Sequence, residues 1–231
     1  MNILLISQPR SKGTAFGDLL SKQNSASFLS EPFTDSLNHY KNADSTTRKL
    51  YINKVIDRFN QQVFNSNKNH VVKLQPTDFG NLAQYLGHLN LQSYDKIYML
   101  KRIDFFETAC SIQLAQTMHY WGDSKVISKQ TIVSLSKAVI RLSMYNVYRY
   151  LLIKKYLTEN NIPFIKVSYE TLPDNLKSRV KPSGLTYSEL IENYYIKEDI
   201  NSIFAQSFNY DTCYINIENF LQSLEKIYPD K

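Results

Sequence analysis

The sequence predicts an α/β protein with a central, mainly parallel sheet of about five strands flanked by helices. Two observations carry that expectation. Apolar runs of strand length recur at Asn2 to Ser7, Ser27 to Glu31, His70 to Gln75, Lys96 to Lys101 and Phe164 to Tyr169, and segments of helical period separate them. Such alternation is the pattern of a parallel sheet covered by helices on both faces. The second observation is length. The 231 residues suffice to bury a full sheet core, and no internal repeat or Pro/Gly/Ser-rich linker divides them. One domain over 1–231 is expected, with an α/β core over about 1–175 and a mainly helical C-terminal extension over 176–231.

Taken in order, the first strand is the apolar run Ile3 to Ile6, which breaks into Ser7-Gln8-Pro9-Arg10-Ser11-Lys12-Gly13-Thr14 before an amphipathic segment. Pro9 and Gly13 supply the bend. Arg48 to Phe64 places Leu50, Ile52, Val55, Ile56, Phe59 and Val63 largely on one helical face. Phe79 to Leu89 is a shorter helix candidate, and Phe105 to Trp121 and Ile132 to Leu157 are the longest. Asn160-Asn161-Ile162-Pro163 stops the last of these and turns the chain into the strand at Phe164. Beyond it, Val180-Lys181-Pro182-Ser183-Gly184 forms a loop, with helical patterning through Tyr195 and again from Ile217 to Ile227; a lid is one role open to this extension.

Composition narrows the function classes. An apolar fraction of 43% with 17 Tyr, 12 Phe and only 6 Gly excludes a low-complexity or collagen-like chain. The net charge of +6 suits an anionic ligand, but the cations are scattered, which fits a lysine-rich solvated surface and argues against nucleic acid as partner. Cys110 and Cys213 are far apart and outside any C-x-x-C, so they are expected as reduced, packed thiols. His70, His88 and His119 have no metal-ligand spacing, and no metal is expected. The N-terminal apolar run is too short for a secretory signal or a membrane span, so the expected location is cytoplasmic, with no membrane partner.

The chemistry lies at the strand ends, since open parallel sheets bind ligands beyond the carboxyl ends of their strands. After the first strand, loop N–H groups, Ser and Thr hydroxyls and the positive helix end converge, and Arg10 and Lys12 add two full charges. The G-x-x-x-x-G-K-[ST] spacing of nucleotide triphosphatases is absent. Ser30-Glu31-Pro32-Phe33, Lys73, Lys101-Arg102-Ile103-Asp104 and Tyr169-Glu170 follow the other strands. Cations with a few carboxylates suit a ligand bearing more than one phosphate-like group. Lys73 is placed either at the rim facing an acceptor or on an edge strand as protection against aggregation.

Several of these segments resemble, in order, the P-loop sulfotransferases that use 3′-phosphoadenosine 5′-phosphosulfate (PAPS). Ser7 to Thr14 is similar to their 5′-phosphosulfate loop. Arg102-Ile103-Asp104-Phe105-Phe106-Glu107-Thr108-Ala109-Cys110-Ser111 resembles their 3′-phosphate motif, in which a strand-end Arg precedes a helical Ser. That spacing, with Ala115 and Trp121 further on, is most similar to the bacterial trehalose sulfotransferase type; Ser30-Glu31-Pro32-Phe33 resembles that group's Gly-Glu-Pro segment, and Val167-Ser168-Tyr169-Glu170-Thr171-Leu172 resembles a recurrent strand end. The resemblance covers roughly the first 170 residues.

It implies a three-layer P-loop-type fold and transfer of a sulfuryl group from PAPS, leaving 3′-phosphoadenosine 5′-phosphate (PAP), to a hydroxyl of a small, carbohydrate-like acceptor. Pro9, Arg10, Ser11, Lys12, Gly13, Thr14, Arg102 and Ser111 are implied to bind the nucleotide, with the Ser111 hydroxyl beside Arg102. Arg10, Lys12 and Glu31 are the implied catalytic residues, Glu31 as the base that takes the acceptor's proton. The family's proposed base lies three positions after Glu31, where this chain has Thr34 and then Asp35; Asp35 and His39 are further candidates. Lys12 replaces a usual Gly and either contacts the sulfonate or points to solvent. Lys181 or Arg179 is a second 3′-phosphate cation by location. The competing structural roles are a capping or loop-anchoring carboxylate for Glu31, an ion pair with Asp104 or a surface acid for Arg102, and core packing for Trp121 and the aromatics of Tyr145 to Tyr156. A non-catalytic nucleotide- or polyanion-binding protein on the same fold is the rival function.

Overall fold

Strand β1, Asn2–Ser7, carries Ile3, Leu4, Leu5 and Ile6 with no more than 2% of their surface exposed, and a strand apolar on both faces must lie inside a covered sheet. The computed structural model describes residues 1–33, 44–76, 86–117, 133–177, 191–192 and 197–227. Thr34, Asp35, His39, His119, Trp121, Arg179 and Lys181 lie outside them. The chain falls into two units, one of Met1–Gln8, Lys12–Lys101 and Leu152–Val167, the other of Pro9–Ser11, Arg102–Leu151 and Ser168–Lys231.

The first unit holds the sheet. With β2 at Ser27–Ser30, β3 at His70–Leu74, β4 at Lys96–Lys101 and β5 at Ile165–Ser168, the order is β2-β3-β1-β4-β5. The β2–β3, β3–β1 and β1–β4 ladders are all parallel, with Ile3 opposite Val71 and Lys96, and Ser30 opposite Lys73. Sequence and structure therefore agree on an α/β fold with a five-stranded central sheet flanked by helices. Every β3 residue is buried, whereas β2 at one edge is half-buried at Phe28 and Leu29 and exposed at Ser27 and Ser30.

Helix α1, Gly13–Gln23, buries Ala15, Phe16, Gly17 and Leu20, and Phe16 meets the Tyr98 ring of β4 edge-on at 5.8 Å. Helix α2, Ser45–Phe64, starts three residues before the periodicity suggests because Asp44 caps it, accepting from the N–H groups of Thr46 (3.0 Å) and Thr47 (2.9 Å). Its core stripe is Ile52, Ile56, Phe59 and Val63. Leu50 is not on that stripe: two residues before Ile52 it points some 200° round the helix, and it is 60% exposed. Of the helix expected over 79–89, the described part is a 3₁₀ turn at Leu86–His88.

At the opposite end of the sheet from the strand carboxyl termini, His70 opens β3. It is buried, with Nε2 2.7 Å from the Ser66 hydroxyl, and burial, then Lys68 and the N-terminal ammonium, lower its pKa. The unfolded chain, with a histidine near the ordinary value of about 6.5, binds more protons than the folded one as pH falls below it, so stability must drop there. Urea midpoints should fall between pH 7.5 and 5.5, and His70→Asn should flatten that dependence.

The second unit is mostly helical. Helix α3, Phe105–Thr117, is buried nearly all round, and α4, Lys137–Glu159, passes from this unit into the first. The chain at Val133–Ser134, expected as helix, is instead extended and pairs in parallel with Ile191–Glu192. Ser136 sets the true start of α4, its hydroxyl accepting from the Val139 N–H at 3.3 Å. The helix stops as anticipated: Asn161 takes a left-handed φ of 53° and the Ile162 N–H returns to the Leu157 carbonyl at 2.9 Å. Helices α5, Lys197–Ser207, and α6, Ile217–Ile227, close the unit, with Phe204 stacked between Phe105 (4.4 Å) and Phe208 (5.1 Å) and Phe220 set edge-on. Cys110 is buried and Cys213 half-buried, and neither forms a disulfide. Among the described residues no helix is long and apolar enough to cross a membrane.

Candidate functional site

In the first unit the site is built where β1 and β3 end against the start of α1. Lys12 is the N-cap of α1 in a left-handed conformation, φ 63°, and no side chain caps the helix. The first rung of the helix ladder is the Phe16 N–H to the Lys12 carbonyl at 3.0 Å, so the N–H groups of Gly13, Thr14 and Ala15 precede the ladder. No acidic residue occupies the first turn. These are the conditions under which a helix end attracts an anion.

Gly13 is dictated by contact. A Cβ there would fall 2.2 Å from Ser7 Oγ, 2.6 Å from Ser7 Cβ and 3.1 Å from Lys73 Cε. The close approach leaves Ser7 fully buried, its Oγ without a hydrogen-bond partner among the described residues. A buried hydroxyl with nothing to bond is costly in a folded protein, and here it faces the helix start.

Lys73 resolves the two alternatives left by the sequence. Its strand lies between β2 and β1, and Lys73 is only 3% exposed, so it is no edge guard. The ammonium donates to Thr14 Oγ1 at 3.0 Å and forms an ion pair with Glu31 Oε1. Gln75 Nε2 donates to the same carboxylate oxygen at 2.6 Å, and the Glu31 N–H bonds the Lys73 carbonyl at 2.9 Å. Glu31 is therefore anchored to β3 by backbone and side chain. Its φ of 52° is a left-handed value that a residue with a side chain adopts at a cost of about 1–3 kcal/mol, and such strain gathers at functional positions. Gln75 carries no motif, its only signal in the sequence being polarity at the end of an apolar strand, and Ser7 enters the sequence reading only as the first residue of the loop segment.

In the second unit, Arg10 Nε donates to Ser111 Oγ at 2.8 Å across 101 residues of chain. Ser111 is 2% exposed and Arg10 half-buried, also with a left-handed φ, 62°. The hydroxyl expected beside Arg102 is thus bonded to Arg10. Arg102 is engaged elsewhere: its Nη2 lies 3.6 Å from Glu107 Oε2, and its guanidinium sits 4.7 Å from the centre of the Tyr169 ring. The Tyr210 hydroxyl donates to its carbonyl at 3.2 Å. Ser11 is fully buried and Pro9 half-buried in the same unit.

Asp104, the named acid weighed for Arg102, is taken by Lys197 of α5 at 2.7 Å. It also caps α3, its Oδ1 accepting from the Glu107 N–H at 3.0 Å. Burial raises its pKa, but the Glu107 N–H and the Lys197 ammonium prevail and hold the carboxyl below its usual value. Burial likewise works against charge on Lys197, yet Asp104 and Glu107 push its pKa up. Glu170 fastens the preceding loop by accepting from the Ile103 N–H at 2.8 Å. Burial, with Glu107 and Asp104 next, drives the Cys110 thiol far above the ordinary range, so it is inert.

The sequence reading missed Glu107 and Lys197. A Glu three residues after an N-cap Asp is a detectable helix-start signature, whereas nothing local to Lys197 marks it. Lys12 is half-buried. No protein-family model matches this chain, and no curated protein matches it in sequence.

Proposed function

We propose that this protein is a PAPS-dependent sulfotransferase acting on a hydroxyl of a small, carbohydrate-like acceptor. The observation that carries the proposal is the Arg10–Ser111 hydrogen bond. It joins, over 101 residues, the two segments whose resemblance to the family is most specific, the loop after β1 and the first turns of α3. The start of α1 fits an anion independently, with three N–H groups ahead of the helix ladder, the buried Ser7 hydroxyl, and a glycine where any Cβ would close the space.

When bound, the nucleotide supplies the activated sulfuryl group for an in-line displacement. The chain's own residues have to align and to stabilise charge. The N–H groups at Gly13 and Thr14 and the Lys73 ammonium supply positive potential at the α1 start, with Ser11, Lys12 and Pro9 shaping the loop. Arg10 and Arg102 are assigned to nucleotide phosphate, with Ser111 orienting the Arg10 guanidinium. Glu31 is the described candidate for taking the acceptor's proton. A second reading, a nucleotide- or polyanion-binding protein without turnover, is favoured by one observation: two donors already converge on Glu31 Oε1.

Titration calorimetry should show PAP binding to the protein, lost or strongly weakened in Arg102→Ala. Absence of binding in the unaltered protein overturns the nucleotide assignment. Transfer of radiolabelled sulfate from PAPS across a panel of sugars separates the two readings, and binding with no turnover on any sugar favours the second.

A further inference from the structure

We propose that Lys197 is a positioning residue for Arg102: by holding Asp104 and the far oxygen of Glu107, it leaves the Arg102 guanidinium charge for the 3′-phosphate of the nucleotide. This rests on the sulfotransferase reading and deepens it. Among the described residues four charged side chains form the cluster, two cations and two carboxylates. Glu107 is shared, with Oε2 3.6 Å from Arg102 Nη2 and Oε1 3.6 Å from Lys197 Nζ. Asp104 Oδ2 lies 2.7 Å from Lys197, and Asn201 Nδ2, also on α5, donates to Asp104 Oδ1 at 3.4 Å.

The charge balance decides the role. Arg102 and Glu107 are both buried, so their interaction is weakly screened. A carboxylate answered only by Arg102 would neutralise the guanidinium and repel an incoming phosphate. A second cation on the other oxygen divides that carboxylate's attraction, and the whole cluster stands near zero charge instead of at minus one. The directions of the Lys197 and Asp104 pKa values, up and down respectively, are those of a pairing strong enough to overcome burial. Tyr169 meanwhile supports the guanidinium from a direction that demands no charge, its ring centre 4.7 Å away. Lys197 comes from the C-terminal extension, about ninety-five residues after Arg102, so the extension would tune the nucleotide site without touching the nucleotide.

The test compares PAP with 5′-AMP, which lacks the 3′-phosphate, by titration calorimetry on the full chain. Lys197→Met is expected to weaken PAP at least tenfold while changing 5′-AMP less than twofold. Lys197→Arg keeps the charge and should retain PAP affinity within a few-fold. Adding Glu107→Gln to Lys197→Met should restore most of the PAP affinity, because the unanswered carboxylate is gone. Unchanged PAP binding in Lys197→Met, an equal loss for both nucleotides, or no rescue by Glu107→Gln overturns the proposal. If the unaltered protein binds neither nucleotide, the sulfotransferase reading fails along with any role for Lys197 in phosphate binding. Urea unfolding of the same variants then tells whether the cluster is a purely structural ion-pair network, in which Lys197→Met destabilises and Glu107→Gln restores.

Discussion

Gly13→Ala is expected to destabilise the protein by roughly 2 kcal/mol and to abolish the proposed anion binding at the start of α1, a single methyl group doing both. The new carbon would lie 2.2 Å from Ser7 Oγ and 2.6 Å from Ser7 Cβ. Rotating the hydroxyl relieves the first clash only. The second is with an atom fixed to the backbone of β1, a strand held by parallel ladders on both sides, so the start of α1 must move. Alanine's better helix propensity, worth at most about 1 kcal/mol, acts in the opposite direction and is outweighed. Gly17→Ala is the matched control. Its Cβ would meet the Phe28 ring at 2.5 Å, but that ring is half-buried at a sheet edge and can swing away. Urea unfolding should rank Gly13→Ala well below Gly17→Ala, and PAP titration should separate them more sharply. Equal midpoints for the two variants would remove the contact argument.

On the proposed sulfotransferase function, Arg10→Ala is expected to lower the rate of sulfuryl transfer about 100- to 1000-fold, the range found when one preorganised donor to a developing charge is removed. Arg10 differs from a surface arginine in two ways. Its backbone is held at a left-handed φ of 62°, and its Nε is committed to Ser111 at 2.8 Å, which fixes the plane of the guanidinium and aims its remaining N–H groups. Arg10→Lys should therefore recover little, since an ammonium has one charged centre and no such fork. Ser111→Ala removes only the aiming bond and should cost about tenfold, in line with a single hydrogen bond. In the double variant the Ser111 loss should vanish, because nothing is left to aim. The measurement is the initial rate with saturating PAPS on the best acceptor found. A double variant in which the losses multiply would show that the two residues act separately.

The interior of the sheet was legible from local pattern. Ile3 to Ile6, Val71 and Val72, and Met99 and Leu100 are apolar without interruption because inner parallel strands are covered on both faces. Helix α6 and the stop at Asn160 to Pro163 were equally plain, since amphipathic period and left-handed capping act within a few residues. Where the sequence misled, a single side chain decided the matter. Ser136 capped α4 five residues after the periodic pattern begins, and Asp44 opened α2 three residues before.

What the sequence by itself determined is the α/β layout, a polar loop after the first strand, and which strand ends carry charge. Which charges meet was decided only by the tertiary structure. Glu31 reaches Lys73 because β2 and β3 pair in register with Ser30 opposite Lys73, and Arg10 reaches Ser111 across 101 residues. Glu107 became the shared partner of Arg102 and Lys197 because α5 packs on α3. Periodicity and capping follow from backbone geometry over one or two turns, so they are written locally. An ion pair between distant segments depends on strand register and helix packing, to which no short stretch of sequence has access.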